Sequence, residues 1–329
     1  MEIVFLGTSS GTPTKSRNVS AIALKKQENK SWVLVDCGEG TQHQILHTNL
    51  ALKHLSAILI THVHGDHCYG LPGLLASASM SGRTQSLTVI APADIHEFIL
   101  HSQNISQTFL TFDVNFIDVE TLSESFDLHD FKVSVVPLSH RVPSHAYQFT
   151  EQCIERALDV QKLIDRNIPK GPLWGKVLQG GQVKLPSGQV LEGENYWLPQ
   201  RKPRKIIVGG DNDTPSLLAN NSHDIDVLIH ESTFTQEIAI KVGPKPQHSS
   251  AAQVAKFAEM AAINNLILTH FSARFQYGNN QGSSISEIEE EARKYFTGNL
   301  FLANDFDRFY LDKKGEVILT ASLQVKLNL

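Results

Sequence analysis

The chain is poor in the features that mark secreted, membrane-spanning or polyanion-coating proteins. Its three cysteines, Cys37, Cys68 and Cys153, are odd in number and widely spaced, so no disulfide framework is expected and a reducing compartment fits. Long apolar runs are missing: stretches such as 57–60 and 133–136 are strand-sized, against the roughly 20 residues that a bilayer crossing needs. No membrane association is expected. The start of the chain, Met1 to Leu6 running into a Gly-rich turn, carries no basic stretch, full apolar segment or small-residue cleavage site, so a cytoplasmic protein is expected. Positive charge is short as well. The 29 Lys and Arg against 34 Asp and Glu leave a net −5, which excludes indiscriminate coating of nucleic acid. Any contact with a polyanion must be local.

What is present is enough apolar material for a large core, 41% hydrophobic with 19% charged residues, which excludes a disordered polymer. Short β-branched runs predict strands near 3–6, 21–24, 32–35, 57–61, 87–90, 113–117, 131–137, 147–149, 206–208, 227–230 and 266–269, with short strands again between 299 and 319. Helical patterns fall near 41–47, 71–81, 93–105, 249–262 and 285–295, interleaved with those runs. Two halves of similar content suggest two mixed sheets packed face to face with helices outside, an α/β (α+β) sandwich within one domain spanning 1–329. Residues 168–204 break the rhythm with closely spaced glycines and prolines and predict an inserted, protruding arm. Between 170 and 205, seven Lys and Arg face two Glu, a local excess of positive charge in an acidic protein.

The densest chemistry follows Ile58, Leu59, Ile60 and Thr61, where His62-x-His64-x-Asp66-His67 delivers three imidazoles and a carboxylate within six residues. His62 and His64 lie two apart at a strand end and project to the same side, and Gly65 permits a turn that returns Asp66 and His67 to the same spot. Imidazole nitrogen and carboxylate oxygen suit Zn²⁺ best, with Mn²⁺, Fe²⁺ or Co²⁺ as competitors. Further ligand candidates stand where expected strands end: His140, Asp211, His230 and His270. Ends of strands are where sites collect.

This pattern resembles the metallo-β-lactamase superfamily, whose fold is an αββα sandwich with metals at one edge. Within it the chain is most similar to the ribonuclease Z family in its short form. Pro13-x-Lys15-x-Arg17-Asn18, Asp36-Cys37-Gly38-Glu39-Gly40-Thr41-Gln42, His230-Glu231-Ser232-Thr233-Phe234, His248-Ser249-Ser250 and His270-Phe271-Ser272-x-Arg274 resemble its motifs. Gly171-Pro172-Leu173-Trp174-Gly175-Lys176 matches the motif of the family's tRNA-gripping arm.

The resemblance implies two Zn²⁺ per subunit. It assigns His62, His64 and His140 to one ion, Asp66, His67 and His270 to the other, and Asp211 as the bridge. Asp213, two residues on, competes for the bridging role because the family's Gly-Asp-Thr is interrupted here. The implied activity is removal of the 3′ trailer from precursor tRNA by a metal-activated water. Asp66 is its proton acceptor and His248, held by Glu231, its proton donor. Lys15, Arg17, Asn18 and Arg274 are expected to contact substrate, and Gly171, Pro172 and Lys176 to hold the tRNA backbone. A homodimer is implied, one subunit's arm gripping the tRNA that the other cuts. The alternative is a hydrolase of the same fold acting on small phosphodiesters, sulfate esters or thioesters, with the same ligands.

Overall fold

The computed structural model describes residues 1–27, 29–276 and 283–321. Alternation along the strands explains the layering. In Glu2–Gly7, Ile3 and Phe5 face one way and enter a core shared with Val133, Phe149, Ile206 and Ile229. Val4 and Leu6 face the other way, into a second core with Leu71, Leu74 and Leu75 of the helix Leu71–Met80 and with Ile95 and Ile99 of the helix Ala93–Ser106. A third core packs Leu228, Leu266 and Leu268 against Val254 and Ala258 of Ala251–Met260 and Ile288 of Ile285–Arg293. Sheets covered on both faces need strands that are apolar throughout, which is why these strands read as continuous β-branched runs.

Among the described residues, one sheet has eight strands in the spatial order Val317–Ala321, Arg308–Leu311, Glu2–Gly7, Ala21–Lys25, Trp32–Val35, Leu55–Leu59, Leu87–Ala91 and Val114–Asp118. The other has seven: Asn299–Leu302, Asn265–Thr269, Val227–Glu231, Lys205–Val208, Ser144–Glu151, Phe131–Leu138 and Phe126–Leu128. Both are mixed. From Trp32–Val35 to Val114–Asp118 in the first, and from Lys205–Val208 to Asn299–Leu302 in the second, neighbours run parallel. Parallel strands end at a common edge, so Asp36, His62, Asp211, Glu231 and His270 are delivered by strand ends. The αββα expectation holds. Helix limits are set by caps: Ser250 with Gln253 and Ser284 with Glu287 form capping boxes that open Ala251–Met260 and Ile285–Arg293.

The chain divides into two compact units, 1–150 with 204–321 of the described residues, and 151–203. The second unit takes in residues upstream of 168 because Leu163, in the helix Val160–Asp165, packs into its small core with Ile168, Val177, Val183, Leu191 and Tyr196. That interval is more ordered than its Gly and Pro content predicts, holding the helix Pro172–Gln179 and a hairpin of Gln182–Lys184 with Val190–Glu192. Arg201, one of the seven cations between 170 and 205, is clamped on Glu151 at 2.7 and 2.9 Å and on Glu155 at 2.9 and 3.1 Å, so its charge is neutralised internally.

Candidate metal centre

Seven side chains predicted as ligands converge. His62 Nε2 lies 3.1 Å from His64 Nδ1, which lies 3.1 Å from His140 Nε2. Asp211 Oδ2 completes this group at 3.5 Å from His62 and 3.7 Å from His140. In the second group His67 Nε2 and His270 Nε2 are 3.2 Å apart. Asp66 Oδ2 stands 3.5 and 3.4 Å from them, and Asp211 Oδ1 3.4 and 3.3 Å. A tetrahedral ion with bonds of about 2.1 Å spaces its ligand atoms about 3.4 Å apart. Both groups match that edge length, and the two oxygens of Asp211 divide between them. Asp213 is not in either group: its Oδ1 accepts from the Thr214 hydroxyl at 2.7 Å.

The nitrogens that face outward are fixed. His62 Nδ1–H donates to Thr61 Oγ1 at 3.0 Å, His67 Nδ1–H to Asp36 Oδ2 at 2.7 Å, His140 Nδ1–H to Gln247 O at 2.9 Å and His270 Nδ1–H to Thr233 Oγ1 at 3.0 Å. Each bond sets the tautomer that leaves Nε2 with a lone pair, as a metal ligand requires. Burial, reinforced by the neighbouring imidazoles, holds His62 well below the ordinary histidine range, and burial likewise lowers His64 and His140. These three offer lone pairs without first shedding a proton. In the second group burial also opposes charge, yet the surrounding carboxylates outweigh it, raising His67 and pushing His270 up to about 10. Asp211, Asp66 and Asp36 thus create a demand for positive charge that protons meet when no cation is bound. Donor types, spacing, tautomers and charge all fit divalent metal.

Local backbone serves this convergence. Asp66 and His67 ride on the one-turn helix Gly65–Cys68. Gly38, from the Asp36-to-Gln42 motif, lets that turn approach, since a Cβ there would sit 2.3 Å from Asp66 O. Asp36 and His270 adopt left-handed conformations, φ 59 and 58, which non-glycine residues hold at a cost the surrounding contacts must offset.

Beside the ligands, the His248 Nδ1–H donates to Glu231 at 3.0–3.1 Å. Burial alone would lower its pKa, but the Glu231 carboxylate outweighs that and raises it. Glu231 also accepts from the Asn212 amide at 2.7 Å and from the Thr233 hydroxyl, so one carboxylate ties His248 to the support of His270. A cleft of ≈ 310 Å³ opens onto His64, Asp66, Asp211 and His248, with Arg141, Tyr69 and Glu39 on its walls.

The remaining expected site residues fare differently. Arg17 is buried, its guanidinium donating to Thr8 Oγ1 at 2.6 Å, Ala303 O at 2.7 Å and Asn304 Oδ1 at 2.9 Å. Asn18 donates through its amide to Asp305 at 2.6 Å and through Nδ2 to Glu39 O at 2.9 Å. Both tie the loop to residues near 304; Arg17 is buried, Asn18 half-buried, and Lys15 alone of the three is exposed. His230 is likewise no ligand, being buried and bonded to Asn212 at 3.1 Å. Arg274 is exposed, its guanidinium over the Phe234 ring, 5.3 Å to the centroid. In the unit 151–203, exposed Lys170, Lys176 and Lys184 line a cavity of ≈ 460 Å³ with Gly171 and Pro172. Gly171 has φ 141 and ψ −153, a conformation nearly confined to glycine, and Pro172 at the first helical position suits the start of Pro172–Gln179. Sequence reasoning missed the supporting roles of Asp36, Thr61 and Thr233, and missed Arg141. Asp36 lay inside a recognised motif, which was the available signal.

Groups of His and Asp donors that could hold divalent metal, gathered at the strand ends of an αββα sandwich, define a hydrolase of the metallo-β-lactamase fold. Residues 1–158 match the family described as anti-Pycsar protein Apyc1. Over 315 residues the chain is 51% identical to ribonuclease Z of Pseudomonas putida (strain W619), covering 96% of this chain and 98% of the relative. It is 39% identical to ribonuclease Z of Lactobacillus acidophilus over 96% of this chain and 99% of that one. The crystal structure of human tRNase Z, short form, superposes with a TM-score of 0.64 at 26% identity, covering 95% of this chain and 100% of that one. The chain belongs to the ribonuclease Z family of hydrolytic endoribonucleases. No helix among the described residues is long and apolar enough to cross a membrane.

Proposed function

We propose that the protein is a zinc-dependent endoribonuclease that removes the 3′ trailer from precursor tRNA, with two metal ions per chain. The observation that carries the reading is the split carboxylate of Asp211, one oxygen in each of two donor groups of tetrahedral spacing, with the His248–Glu231 pair alongside. His62, His64 and His140 would hold one ion, Asp66, His67 and His270 the other, and Asp211 both. When bound, such a pair supplies a water nucleophile at neutral pH and positive charge for the scissile phosphate.

The chain's own residues then manage protons and position. Asp66 Oδ2 accepts the Gly11 amide at 2.7 Å, which orients the carboxylate and leaves Oδ1 to take the proton of the attacking water. As the bond from phosphorus to the 3′ oxygen breaks, that oxygen needs a proton, and His248 supplies it from Nε2 while Glu231 steadies the resulting ring through Nδ1. In this reading Lys15 and Arg274, both exposed, and Arg141 on the cleft wall meet phosphates of the substrate. Gly171, Pro172 and Lys176 take the tRNA backbone by shape and charge within the arm 168–204, which suits an enzyme that must accept every tRNA sequence. The same reading makes the protein a cytoplasmic homodimer in which one subunit's arm grips the tRNA that the other cuts.

The test is incubation with a trailer-bearing precursor tRNA and mapping of the 3′ end produced, with and without chelator. A discrete metal-dependent cut at the trailer junction is expected. Rapid hydrolysis of a small chromogenic phosphodiester with no cleavage of the precursor would overturn the substrate assignment.

A further inference from the structure

His248 is a shared wall. It lines the cleft containing His64, Asp66 and Arg141, and it also lines a second cavity of ≈ 280 Å³ whose apolar surfaces come from Phe234, Ile240, Pro244 and Pro246. The cavity's polar groups are of a different kind from the cleft's. Gln236 and Gln253 both line it, and each side-chain oxygen is already engaged, Gln236 Oε1 by the Ser250 hydroxyl at 2.6 Å and Gln253 Oε1 by the Ser250 amide at 2.9 Å. Their NH₂ groups are left to donate. Asp213 supplies a carboxylate acceptor, and among the described residues no Lys or Arg lines the space. Such a cavity repels phosphate and admits a flat, neutral heterocycle with both donors and acceptors on its edge.

We infer that this cavity receives the nucleobase of the nucleotide that keeps the departing 3′ oxygen. The inference rests on the reading of His248 as proton donor: the nucleoside that receives its proton must lie against its ring, and beside the cleft the ring also borders this cavity, whose described lining offers no Lys or Arg to a phosphate. Apolar walls with few polar groups hold any base while favouring none strongly. The trailer, joined through the phosphate, is left on the charged side.

The experiment compares three precursor tRNAs: intact, abasic at the nucleotide immediately 5′ to the cut, and abasic at the first trailer nucleotide. Base contacts of this kind are worth about 1–3 kcal/mol, so kcat/KM is expected to drop by roughly ten-fold or more for the first abasic site and less than about three-fold for the second. Ala239 also lines the cavity, and in Ala239→Phe, which fills it, the ratio between intact and 5′-abasic substrates is expected to fall to near one; a ratio is insensitive to the folded fraction. Equal cleavage of intact and 5′-abasic substrates by the unaltered protein, greater sensitivity on the trailer side, or an unchanged ratio in Ala239→Phe would overturn the assignment. If the intact precursor were not cut at all, the ribonuclease reading would fall with it, whereas cutting without discrimination would sink the cavity assignment alone.

Discussion

The strand-end centre and the unit 151–203 handle polar residues in opposite ways. At the centre nearly every charged atom is buried and answered: His62, His67, Asp211, Glu231 and His270 are each at most 3% exposed, and each imidazole named there has a partner on both sides. In the smaller unit the cations at Lys170, Lys176 and Lys184 stay exposed around an open cavity. Preorganised buried groups act on reacting atoms, while exposed lysines on flexible stems add affinity that salt can screen. Chemistry and grip are therefore expected to separate in kinetics, the first in kcat and the second in KM.

The largest effect is expected at the bridge. Asp211→Asn removes the charge common to both donor groups, and because the metals contribute several kcal/mol of transition-state stabilisation, single-turnover cleavage should fall on the order of 10³-fold or more. Elemental analysis should show reduced metal content alongside.

Next comes proton donation. His248→Ala should lower kcat roughly 10²- to 10⁴-fold on precursor tRNA, and far less on a p-nitrophenyl phosphodiester, whose leaving group departs without a proton. The sign of the pH effect follows from the raised pKa of His248. The donor must be protonated, so kcat falls as pH rises through that value. Glu231→Gln removes the main stabiliser of the proton and should move this limb to lower pH.

A smaller change is expected one step outward. Asp36→Asn weakens the acceptor that orients His67, and a loss of roughly 10- to 100-fold in metal affinity, read by chelator competition, is the usual size for such supports. The smallest belongs to the other region. Lys176→Ala should raise KM a few-fold, leave kcat unchanged and reduce the salt slope of binding by about 1. A kcat effect there, or a pure KM effect at Asp211, would dissolve the contrast.

The donor cluster was legible in sequence because residues suited to coordination leave a dense trace: His62, His64, Asp66 and His67 lie within six residues, and His140, Asp211 and His270 close expected strands. The layered fold was legible for a similar reason, apolar runs of strand length alternating with helical periodicity. Asp36 was harder. Its role depends on Val35 pairing with Leu59 in parallel register, which sets Asp36 beside the strand that leads to His62, and no spacing along the chain reveals that. The anchoring of Arg17 was hidden because a basic loop residue is the same in sequence whether its guanidinium meets solvent or, as here, Ala303 and Asn304 some 286 and 287 residues away. The limits of 151–203 were hidden by size. A core of a few residues has too little periodicity to announce where its first helix begins.

The central claim is that the two oxygens of Asp211 hold two metals. Anomalous diffraction from crystals of the active protein tests it most directly: two transition-metal peaks about 3.5–4 Å apart, one beside each donor group, are predicted. A fully active preparation with a single peak, or with none near Asp211, would contradict it.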